Sequence, residues 1–367
     1  MRPRKLIATA AIVVGLALAV TACSSGGSTN VSTSKSGKGV TTIALGNLSD
    51  ESPLFKPFAD NFVSDAPSFG FKVNRYDNGA DPSKSLTNAH IMVVGKPKVI
   101  VDWPAGSATA SIGASFSQAK IPCIAVVTSI PGCALFDSNH TREGELTAQL
   151  DAQEVKSRGW DPSSLYVIMV DEAAGGPNTL INIATFYSEF AKDFPSQFVQ
   201  RAPSDISFST TKLGNNAVLV DGNLSLQTSE QVVQRALQAV PAGRHIVLMT
   251  NTDDSTQGGL QAIKQAGLES DTIATSIGAD TAALQALRTD PAWVGEITYY
   301  FQQIWPRYLL AMSKAKLDGV SLPSLTLSPL AMLTKSNVDK LYSGDKPKSL
   351  PALPASDAYL KKYIPAP

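Results

Sequence analysis

The feature that most constrains this fold is an alternation of two patterns that starts at Thr41 and continues through most of the chain. Short runs rich in Val, Ile and other apolar residues alternate with longer stretches in which apolar residues recur at helical spacing. Strands and helices that alternate in this way build β-α-β units around parallel sheets. The first series predicts strands at 42–45, 71–76, 98–102 and 122–127, and helices at 53–64, 82–94 and 107–120.

A second series of the same kind follows. It predicts helices at 141–158, 178–190, 229–240, 256–266, 281–288 and 304–317, and strands at 165–170, 245–249, 273–277, 294–300 and 325–330. Both series lie in residues 40–367, a length greater than one hydrophobic core comfortably serves. We therefore expect an α/β protein with two doubly wound parallel-sheet lobes.

Residues 1–22 have the pattern of an export signal. The basic residues Arg2, Arg4 and Lys5 precede an apolar run over 6–20, which is short of the roughly 20 residues that a permanent membrane span needs. Small residues come directly before Cys23. This segment resembles the lipobox of bacterial lipoproteins, in which the cysteine after the cleavage site carries a lipid. The alternative is an ordinary secretory signal that a cysteine follows by chance.

The next segment, 24–39, contains only Ser, Gly, Thr, Asn and Lys apart from Val31. Such a composition forms flexible coil and buries no core. A coil of this length has an r.m.s. reach of about 20 Å. Residues 23–39 are therefore expected to tether a globular body to the membrane through a lipid on Cys23.

Charge and cysteine content narrow the possibilities further. Lys plus Arg and Asp plus Glu both number 31, so the chain lacks the basic excess typical of nucleic-acid binding. With Cys23 lipidated, Cys123 and Cys133 remain in an exported chain, where disulfides persist. Their spacing leaves two alternatives open, a disulfide between them or two unpaired thiols.

Several spaced segments resemble the ribose- and galactose-binding group of type I periplasmic binding proteins. The sequence Ser52-Pro-Leu-Phe55 is similar to the Asn-Pro-Phe-Phe at the family's first helix, and Ala119-Lys-Ile-Pro122 to the Ala-Gly-Ile-Pro-like sequence before its fourth strand. Segment 251–267, Ile277-Gly-Ala-Asp280 and segment 315–319 then follow in the family's order. The order and spacing of these motifs carry the resemblance, because each one alone is common in doubly wound folds.

This resemblance implies two lobes that close like a hinge on a ligand bound where strands end and helices begin. It places three chain crossings between the lobes, near 137–139, near 299–301 and near Ser324. The implied N-terminal lobe comprises 40–138 and 300–324, the C-terminal lobe 139–299 and 325–345, and residues 346–367 form an irregular Pro-rich tail.

The resemblance also implies which side chains of the N-terminal lobe contact the ligand. Ser52 and Phe55 match a polar residue and a stacking aromatic residue of the family, and Asp102 and Trp103 end the third strand. An indole face suits the apolar face of a sugar ring, while a carboxylate accepts hydrogen bonds from hydroxyls. Packing in the core is the alternative for both Phe55 and Trp103.

Further contacts are implied at the other lobe and at the hinge. Thr252 and Asp253 stand where the family has Asn-Asp, Asp280 matches its cleft aspartate, and Tyr299 takes a hinge position held by Gln. A Gly-rich turn at 172–178 either presents N–H groups to an anion or simply connects a strand to a helix capped by Asn178.

Three charged residues of the family are missing from this chain. Val127-Thr128 replaces the Asp-Arg pair of the sugar-binding members, and their second arginine aligns with Leu180 or Asn182. With Thr128 and Asn182 as contacts instead, the cleft is expected to be less charged and more aromatic than a ribose site. A sugar or similar polar small molecule remains the leading ligand class.

Catalytic motifs, metal-ligand spacings and cofactor fingerprints are missing from the sequence, and His90, His140 and His245 are scattered. The leading hypothesis is a monomeric, lipid-anchored, non-enzymatic solute-binding protein at the outer face of the cell membrane or in the periplasm. Its implied partner is the permease of an ABC importer. The alternatives are a ligand-sensing co-receptor for a membrane signalling protein and a binder of a non-sugar aromatic or cyclic solute.

Overall fold

A computed structural model of the chain describes residues 40–298, 300–349, 351, 353 and 355–364. The predicted signal segment, Cys23, the linker up to Gly39 and Tyr299 lie outside the described residues. The first lobe begins with β1 (Thr41–Asn47), α1 (Phe55–Asp65), β2 (Phe71–Asp77), α2 (Pro82–Val94), β3 (Ile100–Asp102), α3 (Thr109–Gln118), β4 (Cys123–Val126) and β5 (Ala134–Asp137).

The second lobe follows directly. It contains α4 (His140–Ser157), β6 (Leu165–Asp171), α5 (Thr179–Asp193), β7 (Ala217–Asp221), α6 (Leu226–Leu237), β8 (His245–Thr250), α7 (Asp253–Gln265), β9 (Thr272–Gly278), α8 (Thr281–Thr289) and β10 (Trp293–Thr298). The rest of the chain forms α9 (Phe301–Leu317), β11 (Leu325–Leu327), β12 (Ala331–Leu333), α10 (Val338–Leu341), β13 (Tyr342–Ser343), β14 (Lys346–Pro347) and a 3₁₀ helix at Ala355–Lys362.

Each lobe has a sheet with helices on both faces. The first sheet is parallel throughout, in the order β11-β5-β4-β3-β1-β2. The second has the order β12-β10-β9-β8-β6-β7 and is parallel except for β12, which pairs antiparallel with β10. These two α/β lobes confirm the predicted fold class.

Local sequence explains why individual elements form where they do. Helix α2 has the predicted bounds because Asp81 accepts a hydrogen bond from the Lys84 N–H, and Pro82 occupies the first turn, where it has no N–H to lose. Strand β6 is buried along its whole length, which matches a continuous apolar run flanked by helices on both sides. Helices α4 and α5 cover one face of the second sheet, and α6 and α7 the other.

The predicted lobe boundary near Ser324 is wrong. Strand β11 pairs in parallel with β5 of the first sheet, with Leu325 opposite Leu135 and Leu327 opposite Asp137. Residues 325–327 therefore belong to the first lobe and not to the second, and the chain crosses at 328–330. The alternating sequence of β11 fits the edge of either sheet, so the sequence alone does not show to which lobe this strand belongs.

The tail after Lys346 is also more ordered than predicted. It contains β14 and the 3₁₀ helix, in which Leu360 is fully buried, and Tyr363 just after it is nearly so. The Tyr359 hydroxyl lies 3.3 Å from Thr326 Oγ1 of β11, and the helix packs on α9. The chain thus returns to the first lobe after leaving the second, because these apolar side chains find a surface to cover there.

The two alternatives for Cys123 and Cys133 resolve to a disulfide. Their Cα atoms are 4.8 Å apart, within the range that a disulfide spans. The bond joins the start of β4 to the residue before β5. By restricting the unfolded chain, a loop of this size stabilises a fold by about 2 to 4 kcal/mol.

Candidate functional site

A small space of about 50 Å³ lies between the two lobes. Its walls come from residues at or just beyond the carboxyl ends of strands, among them Leu48 after β1, Trp103 after β3 and Asn251 after β8. Ligands of open α/β sheets bind at such an edge because helix N-termini and loop side chains converge there. We refer to this space as the interlobe cavity.

The first lobe supplies an aromatic wall to the interlobe cavity. Phe55 and Trp103 pack edge to face with ring centroids 5.1 Å apart, and the ring of Trp305 lies 5.7 Å from that of Trp103. Phe55 begins α1, and Trp305 stands in the first turns of α9, so two helices fix the rings around the end of β3. The wall offers flat apolar faces to whatever enters the cavity.

The second lobe supplies a wall of hydrogen-bond acceptors. Glu143, Asn182 and Asn251 line the cavity. Each has one buried side-chain oxygen that accepts no hydrogen bond from the described residues: Oε1 of Glu143, Oδ1 of Asn182 and Oδ1 of Asn251. Their remaining polar atoms are engaged: Asn182 Nδ2 donates to Glu143 Oε2 at 3.2 Å, and Asn251 Nδ2 donates to the Thr179 carbonyl at 3.0 Å. Because buried acceptors without donors are costly, these three oxygens suit a ligand rich in hydroxyl groups.

A charged cluster stands where the chain first crosses between the lobes. His140 Nε2 lies 2.9 Å from Asp137 Oδ1, and its Nδ1 lies 3.0 Å from Glu143 Oε2. Burial by itself lowers the pKa of His140, but the carboxylates of Glu143 and Asp137 outweigh it and raise that pKa to about 10. The pKa of Glu143 is lowered, since the imidazolium outweighs the effect of burial on this carboxyl.

Glu172 is a second carboxyl in the cavity lining. Burial raises its pKa to about 8, although hydrogen bonds from Ser255 Oγ and the Leu224 N–H oppose that rise. At pH 7 this side chain is therefore mostly protonated. The Gly-rich turn that follows it thus carries a neutral carboxyl, which adds no charge to the cavity.

Direct hydrogen bonds join the lobes beside the cavity. Thr128 Oγ1 donates to the Gly175 carbonyl at 2.9 Å, and Asn178 Nδ2 donates to the Val127 carbonyl at 2.7 Å. Because these hydrogen bonds hold the lobes in contact, the described conformation is a closed one. Val127 at this contact has a left-handed backbone with φ of 58°, which is strained for a β-branched residue.

Four of the sequence-predicted contacts line the interlobe cavity: Phe55, Trp103, Asn182 and Thr252. Thr128 is committed to the interlobe hydrogen bond, and Ser52 Oγ lies across the cleft from Asp254 Oδ2 at 3.4 Å. Tyr299 is outside the described residues.

The three predicted aspartates do not line the cavity. Asp102 is fully buried and accepts a hydrogen bond from Asn78 Nδ2 at 3.1 Å, and burial raises its pKa to about 7. Asp280 caps α8 by accepting from the Ala283 N–H at 2.7 Å. Asp253 is fully buried and accepts from Ser276 Oγ and from the Asp280 N–H.

Sequence reasoning missed several groups of the cavity, above all Glu143, Trp305 and the role of His140. His140 and Glu143 are three residues apart at the start of α4, a spacing that puts both side chains on one helix face. That spacing was the sequence signal that could have identified the pair. For Trp305 the sequence held no such signal, because this residue lies within α9 and reaches the cavity only through the packing of that helix on α1.

The family model of the periplasmic binding protein domain matches residues 43–319 of this chain. The chain belongs to the periplasmic binding protein family. Proteins of this family are extracytoplasmic, and no helix among the residues described for this one is long and apolar enough to span a membrane. No curated protein sequence matches this family member significantly.

Solved periplasmic binding proteins share its fold at low sequence identity. A galactofuranose binding protein is 18% identical with a TM-score of 0.66, and the match covers 82% of this chain and 96% of that one. An ABC transporter solute binding protein from Mycobacterium smegmatis with bound glycerol is 16% identical, with a TM-score of 0.69 and coverage of 83% and 99%. The Caulobacter myo-inositol binding protein is 17% identical, with a TM-score of 0.68 and coverage of 83% and 96%.

Proposed function

We propose that this periplasmic binding protein captures a neutral sugar or polyol in the interlobe cavity and delivers it to the permease of an ABC importer, without catalysing a reaction. The observation that carries the proposal is the composition of the cavity. Aromatic residues of one lobe line the cavity together with Glu143, Asn182 and Asn251 of the other, each of which has a side-chain oxygen without a hydrogen-bond partner among the described residues. A sugar has the matching halves, since its C–H face packs on rings and its hydroxyls donate to acceptors.

Charge favours a neutral ligand over an acidic one. Asp137 and Glu143 carry two negative charges, and the single positive charge of His140 offsets only one of them. Val127 and Thr128 replace the Asp-Arg pair of the family's sugar-binding members, so these two positions supply no arginine that could hold a carboxylate or phosphate. An anionic ligand would be repelled at close range in a site that excludes water.

The closed conformation implies a step of lobe opening. A cavity of about 50 Å³ is far smaller than the several hundred Å³ of typical small-molecule sites. A ligand therefore enters only after the hydrogen bonds of Thr128 and Asn178 between the lobes have broken. The ligand then favours closure to the extent that it binds the closed state more tightly than the open one.

The proposal is tested by a thermal-shift screen of the body from Gly39 onward. The probes are D-galactose, D-allose, L-arabinose, myo-inositol and glycerol, with D-galacturonate as the acidic counterpart of D-galactose. A ligand at 100 times its Kd adds about 2.7 kcal/mol of stability, which we expect to raise the Tm by about 4 °C for a body of this size.

The matched variants for this screen are Asn251→Ala, which removes a cavity acceptor, and Gln238→Ala on the exposed end of α6. We expect the first to abolish the shift and the second to retain it. A shift with D-galacturonate and none with any neutral sugar or polyol would contradict the proposal.

We further propose that Cys23 carries the lipid that holds the protein at the outer face of the membrane. The support is the lipobox-like sequence before Cys23 and the flexible composition of 24–39. Full-length protein with Cys23→Ala should move from the membrane fraction to the soluble fraction on cell fractionation. Cys123→Ser is the control and should stay with the membrane. If Cys23→Ala also stays with the membrane, the lipid anchor is not at this cysteine.

A further inference from the structure

His140 occupies a special position in the chain. It is the first residue of α4 and follows the first crossing between the lobes, directly after Ser138 and Asn139. Its ring is nearly buried, with a side-chain exposure of 11%. The ring is therefore shielded from bulk water and depends on protein groups for its hydrogen bonds.

Both nitrogens of this ring face carboxylates. Asp137 from β5 contacts Nε2 and Glu143 from α4 contacts Nδ1, at 2.9 and 3.0 Å, with the hydroxyl of Ser138 3.3 Å from Nδ1. An ionised carboxylate only accepts hydrogen bonds, so a ring between two of them must donate from both nitrogens. A neutral imidazole has one N–H only, so two ionised carboxylates at these distances require the imidazolium between them.

Glu143 is the partner that matters for the cavity. It is fully buried, and burial without a cation would drive it to the protonated form. Its Oε2 accepts from His140 and from Asn182 of α5, while its Oε1 has no hydrogen-bond partner among the described residues. The neutral amide of Asn182 cannot replace the charge of His140. The charged groups in contact with the ring are Asp137 and Glu143, and α5 contributes only this amide.

We propose that His140 is a positioning residue that stays imidazolium and thereby holds Glu143 ionised, with Oε1 of Glu143 presented to a hydroxyl of the ligand. The identity of that ligand rests on the proposed function, whereas the charge state of the pair does not. The raised pKa of His140 agrees with this assignment.

The same ring connects the ligand wall to the contact between the lobes. Asp137, which binds Nε2 of His140 through Oδ1, accepts at Oδ2 from Asn178 Nδ2 at 2.9 Å. Asn178 also donates to the Val127 carbonyl of the first lobe. A continuous series of hydrogen bonds therefore leads from the ligand-facing Glu143 through His140 to the interlobe bond of Asn178. Loss of His140 would interrupt this series.

The first test measures the charge of His140 directly. The ¹⁵N chemical shifts of the imidazole nitrogens are recorded in ligand-free protein from pH 5 to pH 9, with His140 assigned from His90→Gln and His245→Gln variants. We expect both nitrogens of His140 to remain protonated at pH 8. A ring that has lost its proton at pH 8, with a midpoint near the ordinary value of about 6.5, would overturn the assignment.

The second test measures the effect on Glu143 through thermal stability. In His140→Gln, the buried Glu143 loses its cation and its pKa rises, so this variant should lose Tm from pH 5 to about pH 6.5 relative to the wild type. Over that range His140 of the wild type is protonated in both the folded and the unfolded chain and contributes no such loss. His140→Gln with Glu143→Gln should no longer show that excess loss, because the titrating carboxyl is gone. A merely structural role would lower the Tm of His140→Gln equally at every pH, and that result would reject the proposal.

Neither the NMR measurement nor the stability measurement uses a ligand. A failed sugar screen therefore contradicts only the proposed function, and a failed charge measurement contradicts only the assignment of His140. If His140→Gln does not fold, the NMR measurement on protein that retains His140 decides alone.

Discussion

Replacing Trp103 with alanine is expected to lower the free energy of unfolding by about 3 to 5 kcal/mol and to weaken sugar binding by more than tenfold. Trp103 is nearly buried and contacts the rings of Phe55, Phe58 and Trp305, so its removal opens a large cavity in the first lobe. It is also the centre of the aromatic wall, and a ligand loses a flat apolar surface with it. Urea unfolding measures the first effect and titration with the probe from the screen the second.

Phe190→Ala is the matched control for this experiment. Phe190 is fully buried in α5 beside Phe186 and Phe194, away from the cavity lining, so its loss should destabilise the protein by a similar amount. Binding is measured for both variants at a temperature where they are folded. If Trp103→Ala binds sugar as well as Phe190→Ala does, Trp103 is a core residue and the aromatic wall is not part of the site.

Asp253→Asn is expected to stabilise the protein at neutral and alkaline pH. Asp253 and Glu296 are both fully buried, and burial is the main reason why the pKa values of these two carboxyls lie well above the ordinary range. Repulsion from Asp280 adds to the rise for Asp253, and repulsion from Asp253 adds to the rise for Glu296. The folded protein therefore keeps a proton that the unfolded chain releases above about pH 4. Stability is complete below that pH and falls by up to about 1.4 kcal/mol per pH unit as pH rises towards the folded pKa values.

The asparagine keeps the local hydrogen bonds without this pH dependence. Its Oδ1 can accept from the Asp280 N–H, and its Nδ2 can donate to Ser276 Oγ, which is able to accept as well as donate. We expect Tm profiles from pH 4 to pH 9 to show a shallower decline for Asp253→Asn than for wild type. Glu145→Gln on the exposed face of α4 serves as the control. A parallel decline in Asp253→Asn and wild type would show that Asp253 is not the carboxyl that retains the proton.

The sequence predicts correctly those elements of the fold that depend on local sequence signals. Helix α2 has a cap, a proline and a regular apolar face, and its predicted bounds match the structure. Strands β5 and β7 were missed because they are four and five residues long and alternate in burial too briefly to stand out. The pairing of β11 with β5 is a tertiary choice between two sheet edges, which no local pattern records.

The site residues also fall into those that local sequence predicts and those that it does not. Phe55, Trp103 and Asn182 were predicted as ligand contacts and line the cavity, because positions after strands and at helix starts converge at one sheet edge. Asp253 was predicted there too, yet the first turn of α7 places its carboxyl against β9 through Ser276. Direction of a side chain at a helix start depends on the packing of that helix, and sequence position alone does not give it.

The late return of the chain to the first lobe has a consequence for the order of folding. From α4 to β10 the second lobe is continuous in sequence, so most of its sheet can pair as soon as those residues have been synthesised. The first lobe comes earlier from the ribosome but lacks α9 and β11 until nearly the whole chain exists. Until then the surface of α1 on which α9 packs stays uncovered. The nascent protein is thus most prone to aggregate through its N-terminal half, at a stage when most of the second sheet is already able to pair.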